Sequence, residues 1–145
     1  MDQEVEILIV EDNPSELELT MYALKKHHLA NHIVVLRDGA EVIQFLFEGK
    51  ALNSKLPNPK LILLDLKLPK INGIEVLRRI KSDPRTRNIP VVVMTSSRQD
   101  QDLKECYQLG VNSYLVKPVN FDQFTEVIRQ VGFYWLLLNR GKDMA

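Results

Sequence analysis

The chain has 145 residues, 45% of them hydrophobic and 26% charged, which fits one globular domain with a core of its own and excludes disordered and collagen-like classes. Nineteen basic residues balance nineteen acidic ones, so no global field for nucleic acid or anionic lipid exists, and a single cysteine, Cys106, rules out an internal disulfide or thiolate metal site. No apolar run approaches the roughly 18 residues of a membrane span, and the start, Met1-Asp2-Gln3-Glu4, is acidic where a signal peptide is basic. A cytoplasmic protein without direct nucleic-acid or membrane contact is expected.

Val5 to Val10 (VEILIV) is a strand-like run rich in β-branched residues. Asn13-Pro14-Ser15-Glu16 then opens a helix: Asn13 as cap, Pro14 at the first helical position, Glu16 where a capping box wants an acid. His27, His28 and His32 near its end do not share a face and read as solvated. Ile33 to Leu36 is a second strand, and Asp38-Gly39-Ala40-Glu41 opens a second helix that runs through Val42, Ile43, Leu46 and Phe47. After a longer loop, Gly49 to Pro59, come a third strand, Leu61 to Leu64, and a third helix after Asn72-Gly73 with Ile74, Val76, Leu77 and Ile80. The basic residues Arg78, Arg79, Lys81, Arg85 and Arg87 read as a solvated helix face and loop. Val91 to Met94 is a fourth strand. Leu103, Cys106, Tyr107 and Leu109 mark a fourth helix closed by Gly110, with Cys106 in the core. Tyr114 to Val116 is a fifth strand, and Asn120 caps a fifth helix carrying Phe121, Phe124, Val127, Ile128 and Val131. Five β-α units with near-continuous apolar strands predict an α/β fold: an open five-stranded parallel sheet with helices on both faces and right-handed crossovers.

In such sheets chemistry gathers where the strands end. Those positions hold Glu11 and Asp12 after the first strand, Asp65 after the third, Thr95 after the fourth, and Lys117-Pro118 after the fifth. Three converging carboxylates repel, by about 1 kcal/mol per pair at about 4 Å in water and about 4 kcal/mol at a surface-like dielectric. A hard divalent cation relieves this, and Mg²⁺ suits because it accepts a few carboxylates while keeping waters for a phosphate oxygen.

The ordered set Glu11-Asp12, Asp65-Leu66-Lys67-Leu68-Pro69-Lys70-Ile71-Asn72-Gly73, Thr95-Ser96 and Lys117-Pro118 resembles the receiver domain of two-component response regulators. The resemblance covers about residues 5 to 131 and implies a flavodoxin-like three-layer sandwich whose five-stranded parallel sheet has the order 2-1-3-4-5, with an extended C-terminal helix. Within that family the chain is similar to single-domain regulators paired with bacterial phytochrome histidine kinases, through Glu11-Asp12-Asn13-Pro14, the long loop before the third strand and the ending Gly132 to Leu138. The resemblance implies a stand-alone response regulator rather than an enzyme, assisting only its own phosphorylation and dephosphorylation. Asp65 would accept a phosphoryl group from a sensor histidine kinase. Mg²⁺ would be held by Glu11, Asp12, Asp65 and the backbone carbonyl of Lys67. Lys117 and Thr95 would contact the phosphoryl oxygens, Thr95 and Tyr114 would form the conformational switch, and Lys117-Pro118 would match the family's cis peptide. Lys67 and Ser97 stand at positions that influence phosphoryl lifetime in this family.

The competing reading is a receiver-like interaction module that is never phosphorylated; the intact set of five side chains argues against it. An aspartate-nucleophile phosphatase would place Asp-x-Asp after the first strand, and Glu11-Asp12-Asn13 does not fit. Residues 1–131 make the expected domain. Residues 132–145 extend the fifth helix, and Phe133, Tyr134, Trp135, Leu136, Leu137 and Leu138 would point in every direction on that helix, more than one core face can bury. They are expected to form a homodimer interface.

Overall fold

The computed structural model describes residues 7–26, 32–48, 58–117, 122–127 and 129–130. Strand β1 (Ile7–Val10) leads into helix α1 (Pro14–Lys26), followed by β2 (Ile33–Leu36) and α2 (Gly39–Ile43), which runs into a π-helical turn (Gln44–Glu48). Then come β3 (Leu61–Leu64), α3 (Gly73–Ser82), β4 (Val91–Thr95), α4 (Asp100–Leu109) and β5 (Ser113–Val116). Residues 122–127 and 129–130 are helical and form α5. The strands lie in the order β2-β1-β3-β4-β5, and every neighbouring pair is parallel. This is the predicted flavodoxin-like order. Among the described residues no helix is long and apolar enough to cross a membrane.

The strands divide their side chains between two layers, as the two-residue period of a strand requires. Leu8, Val10, Ile62, Leu64, Val91 and Val93 face one layer, where α2, the π-helical turn, α3 and α4 contribute Val42, Leu46, Val76, Leu77, Ile80 and Cys106. Ile7, Ile9, Leu61, Leu63, Val92, Met94 and Leu115 face the other, against Ala23 and Leu24 of α1 and Phe124 of α5. β1, β3 and β4 are buried along their whole length, so alternation is invisible in their composition: both faces are covered.

The ends of the helices follow local chemistry. The Asp38 carboxylate accepts the Glu41 amide at 2.8 Å, and the Asn72 side chain accepts the Glu75 amide at 3.0 Å. Gly110 closes α4 with φ 97°, its amide donating to the Tyr107 carbonyl at 3.1 Å while the Val111 amide donates to Cys106 at 3.2 Å. The second helix departs from expectation. It is α-helical only to Ile43; the ladder loosens at Gln44, whose amide is shared between the Ala40 and Glu41 carbonyls. Leu46 and Phe47 are buried all the same, and Phe47 lies beneath the guanidinium groups of Arg79 and Arg85, 4.8 and 5.5 Å from its ring centre.

Val5, His27, His28, most of the loop before β3, Pro118, Asn120, Phe121 and the proposed interface Phe133–Leu138 lie outside the described residues.

Candidate functional site

Hydrogen bonding of the sheet continues past the strand ends and fixes where the polar residues begin. The Glu11 amide donates to the Leu36 carbonyl at 3.0 Å, the Asp65 amide to Val10 at 3.1 Å, and the Lys117 amide to Thr95 at 2.7 Å. Glu11, Asp65 and Thr95 are therefore rooted in the rigid sheet, and all three are buried.

Lys117 crosses this edge and gathers the carboxylates. Its Nζ donates to Glu11 Oε1 at 2.7 Å, to Asp65 Oδ2 at 3.3 Å and to the Glu16 carboxylate. The other oxygens are also engaged: Asp65 Oδ1 accepts the Lys67 amide at 3.2 Å, and Glu11 Oε2 the Asn13 amide at 3.3 Å. Burial pushes the Glu11 carboxyl up to about 7; Lys117 pulls against this and the Asp65 charge adds to it. Burial alone would lower Lys117, but its hydrogen bonds to Glu11 and Glu16 and the Asp65 charge outweigh it and hold the ammonium above the ordinary lysine range.

The carboxylate set differs in one member from the sequence reading. Glu11, Glu16 and Asp65 each place an oxygen within 4.8 Å of the others. Asp12 stands beside Glu11 but is exposed, outside this group. Glu16 looked like a capping acid, and half of that role holds: the Asn13 side chain accepts the Glu16 amide at 3.1 Å. The return bond of a capping box does not form, because the Asn13 amide is taken by Glu11 and the Glu16 carboxylate turns to Lys117. The sequence signal was present: an acid one helical turn after the first strand sits above the same sheet edge.

The loop between β3 and α3 carries Asp65 and is braced at both ends. The Gly73 amide donates to the Leu66 carbonyl at 2.8 Å, and a Cβ on Gly73 would lie 2.5 Å from the Asp65 carbonyl oxygen. Gly39 donates to the Pro69 carbonyl at 3.2 Å and leaves no room for a Cβ, which would stand 2.0 Å from the Ile71 oxygen. Between these, Lys70 takes φ 70°, uncommon for a residue with a side chain, and its ammonium lies 3.4 Å from Asp38.

A second polar group adjoins the first. Thr95 Oγ1 accepts the Ser97 amide at 3.2 Å, Ser97 Oγ donates to Asp102 at 2.6 Å and accepts the Gln99 amide at 3.3 Å. The Tyr114 hydroxyl donates to the Ser97 carbonyl at 3.1 Å. Thr95 and Tyr114, expected to act together, thus meet through Ser97. Asp102, which the sequence did not single out, anchors that residue to α4.

Three oxygen donors from Glu11, Glu16 and Asp65 form a hard, anionic set of the kind that takes Mg²⁺ or Mn²⁺, and it is balanced here by one ammonium.

Comparison with known proteins agrees with this geometry. Residues 7–129 match the response regulator receiver domain. The chain is 42% identical over 139 residues to the "Probable methanogenesis regulatory protein FilR2" of Methanothrix harundinacea, covering 96% of this chain and 88% of the relative. It is 40% identical over 131 residues to response regulator Rcp1 of Synechocystis, covering 90% and 88%. The Mn²⁺-bound form of Rcp1 superposes with a TM-score of 0.76 over 91% of this chain and 94% of that one, at 38% identity. The bacteriophytochrome response regulator RtBRR superposes with a TM-score of 0.76 at 47% identity, over 89% and 78%. The chain belongs to the response regulator receiver family.

Proposed function

We propose that this receiver takes a phosphoryl group on Asp65 from a phosphohistidine of a sensor histidine kinase, the kinase being a bacterial phytochrome. One observation carries the assignment: Asp65 is the one buried aspartate among the described residues, set at a strand end with one oxygen on Lys117 and the other on the Lys67 amide. In the transfer the N–P bond of phosphohistidine breaks as an Asp65 oxygen forms the O–P bond, and the imidazole leaves with the electron pair of the broken bond. The chain's work is placement. Asp65 is held by the sheet and by the Lys67 amide, Lys117 offers its ammonium to a phosphoryl oxygen, and Thr95 offers its hydroxyl to another. Glu11 and Asp65, whose oxygens the structure brings together, would hold Mg²⁺ with Asp12 and the Lys67 carbonyl, and the hard oxygen chemistry of these donors suits the ion. When bound, the ion supplies neutralising charge for the phosphoryl oxygens.

Phosphorylation would then shift the Thr95–Ser97–Tyr114 group, since a Thr95 hydroxyl drawn to phosphate gives up its bond from the Ser97 amide. We assign residues 1–131 to the receiver and residues 132–145 to dimerisation through Phe133–Leu138, in the cytoplasm. A chain truncated after Val131 should sediment as monomer where the full chain is dimeric; monomer in both refutes the interface.

The decisive test of the site is incubation with Mg²⁺ and a small phosphodonor. The wild-type chain should gain one phosphoryl group by mass and Asp65→Asn none. Label persisting in Asp65→Asn refutes the assignment.

A further inference from the structure

We infer that Glu16 is a positioning residue that contends with the incoming phosphoryl group for Lys117. The inference rests on the assignment of Asp65 as phosphoacceptor and deepens it. An ammonium has three N–H donors, and those of Lys117 are matched by three carboxylates: Glu11, Glu16 and Asp65. A phosphoryl group on Asp65 brings new acceptor oxygens and about two negative charges. Lys117 can serve it only by releasing a partner.

The structure distinguishes the partner that yields. Glu11 is buried, belongs to the sheet through its amide, and accepts the Asn13 amide as well as Lys117. Asp65 bears the phosphoryl group. Glu16 alone reaches in from a helix, and its side chain is 38% exposed, so its carboxylate can be hydrated on leaving. Its side chain has also given up the local bond a capping box offers, the Asn13 amide being taken by Glu11. Glu16 therefore favours the unphosphorylated arrangement twice: it occupies a donor of Lys117, and its charge stands among the oxygens the phosphoryl group must join.

The test uses the full chain at saturating Mg²⁺, with beryllofluoride as the phosphoryl mimic and calorimetric titration as the readout. Glu16→Gln keeps the size and a hydrogen-bond acceptor but removes the charge. It should bind beryllofluoride about three- to tenfold more tightly than wild type, as expected for relief of one partly exposed charge contact. The gain should shrink between about 0.05 and about 0.5 M salt, because such a contact is screened. Glu16→Ala should shift affinity in the same direction, and a thermal melt of each variant checks folding. Equal or weaker binding by both folded variants overturns the inference. So does a Mg²⁺ affinity, titrated without beryllofluoride, that falls more than about tenfold, since that makes Glu16 a metal-holding residue. Asp65→Asn separates the two levels. If it binds beryllofluoride as wild type does, the Asp65 assignment has failed; if it does not, while Glu16→Gln matches wild type, only the role of Glu16 has.

Discussion

Lys117 and Arg78 each draw two or more carboxylates, yet their surroundings give the pairings different meanings. Lys117 joins β5 to α1 and to the ends of β1 and β3, with its side chain 11% exposed. Arg78, on α3, pairs with Glu75 one turn earlier and with Glu105 on α4, with its side chain 42% exposed. Water can replace either partner of Arg78 at little cost, whereas at the strand ends the charges have lost much of their water and must satisfy one another. Ion pairing that is incidental on a helix surface thus becomes a constraint where four elements meet. Any event that alters one charge there, phosphorylation included, has to be answered by the others.

The largest expected effect follows from removing the shared cation. In Lys117→Ala, the oxygens of Glu11, Glu16 and Asp65 remain within 4.8 Å of one another with no counter-charge. Metal-free, this variant should lose about 3–5 kcal/mol in a denaturant titration, the range for breaking a buried ion pair. Mg²⁺ should restore a large part of that loss, about 2.7 kcal/mol at one hundred times its dissociation constant. A small loss that Mg²⁺ does not alter would break the contrast with Arg78.

Gly73→Ala tests the same edge through the backbone. The added Cβ would meet the Asp65 carbonyl oxygen and the Leu66 Cα, each at 2.5 Å, and neither can rotate away. Overpacking of this kind costs about 1–3 kcal/mol. The strain falls on the residue proposed to take the phosphoryl group, so labelling from a small phosphodonor should slow in a chain that still folds. Unchanged labelling together with reduced stability would separate the loop's packing from its chemistry.

Much of this edge was legible before the fold was seen, for a physical reason. Runs such as LILL and VVVM leave no polar face, so they read as strands covered on both sides; parallel topology then brings Glu11, Asp65, Thr95 and Lys117 to one end. What escaped depended on partners distant in sequence. Glu16 was read from its neighbour Asn13, which does cap the helix, but its carboxylate answers to Lys117, 101 residues away. Asp12 and Glu11 are adjacent and looked equivalent, yet one is exposed and the other buried. Gly39 looked like an ordinary helix opener; its need to lack a side chain comes from the Ile71 backbone pressed against it. Asp102 gave no local sign, because its importance lies in accepting from Ser97.

The smallest effect is the sharpest check on the comparison. Arg78 has both of its carboxylates within pairing distance, and the count of charged contacts alone would rank it close to Lys117. Its hydrogen bonds with Glu75 and the charges of both carboxylates raise its proton affinity, but an arginine is already fully charged at any working pH, so this moves no proton and changes no equilibrium near neutrality. Arg78→Ala should therefore shift the melting temperature by less than about 3 °C. A double-mutant cycle with Glu105→Ala should show a coupling that fades as salt approaches about 0.5 M. The corresponding cycle between Lys117 and Glu11 should persist at that salt, since ions cannot enter a buried contact to screen it. Equal salt sensitivity in the two cycles would mean that the strand-end charges are solvated much as Arg78 is, and Lys117 could then turn to a phosphoryl group without displacing any carboxylate.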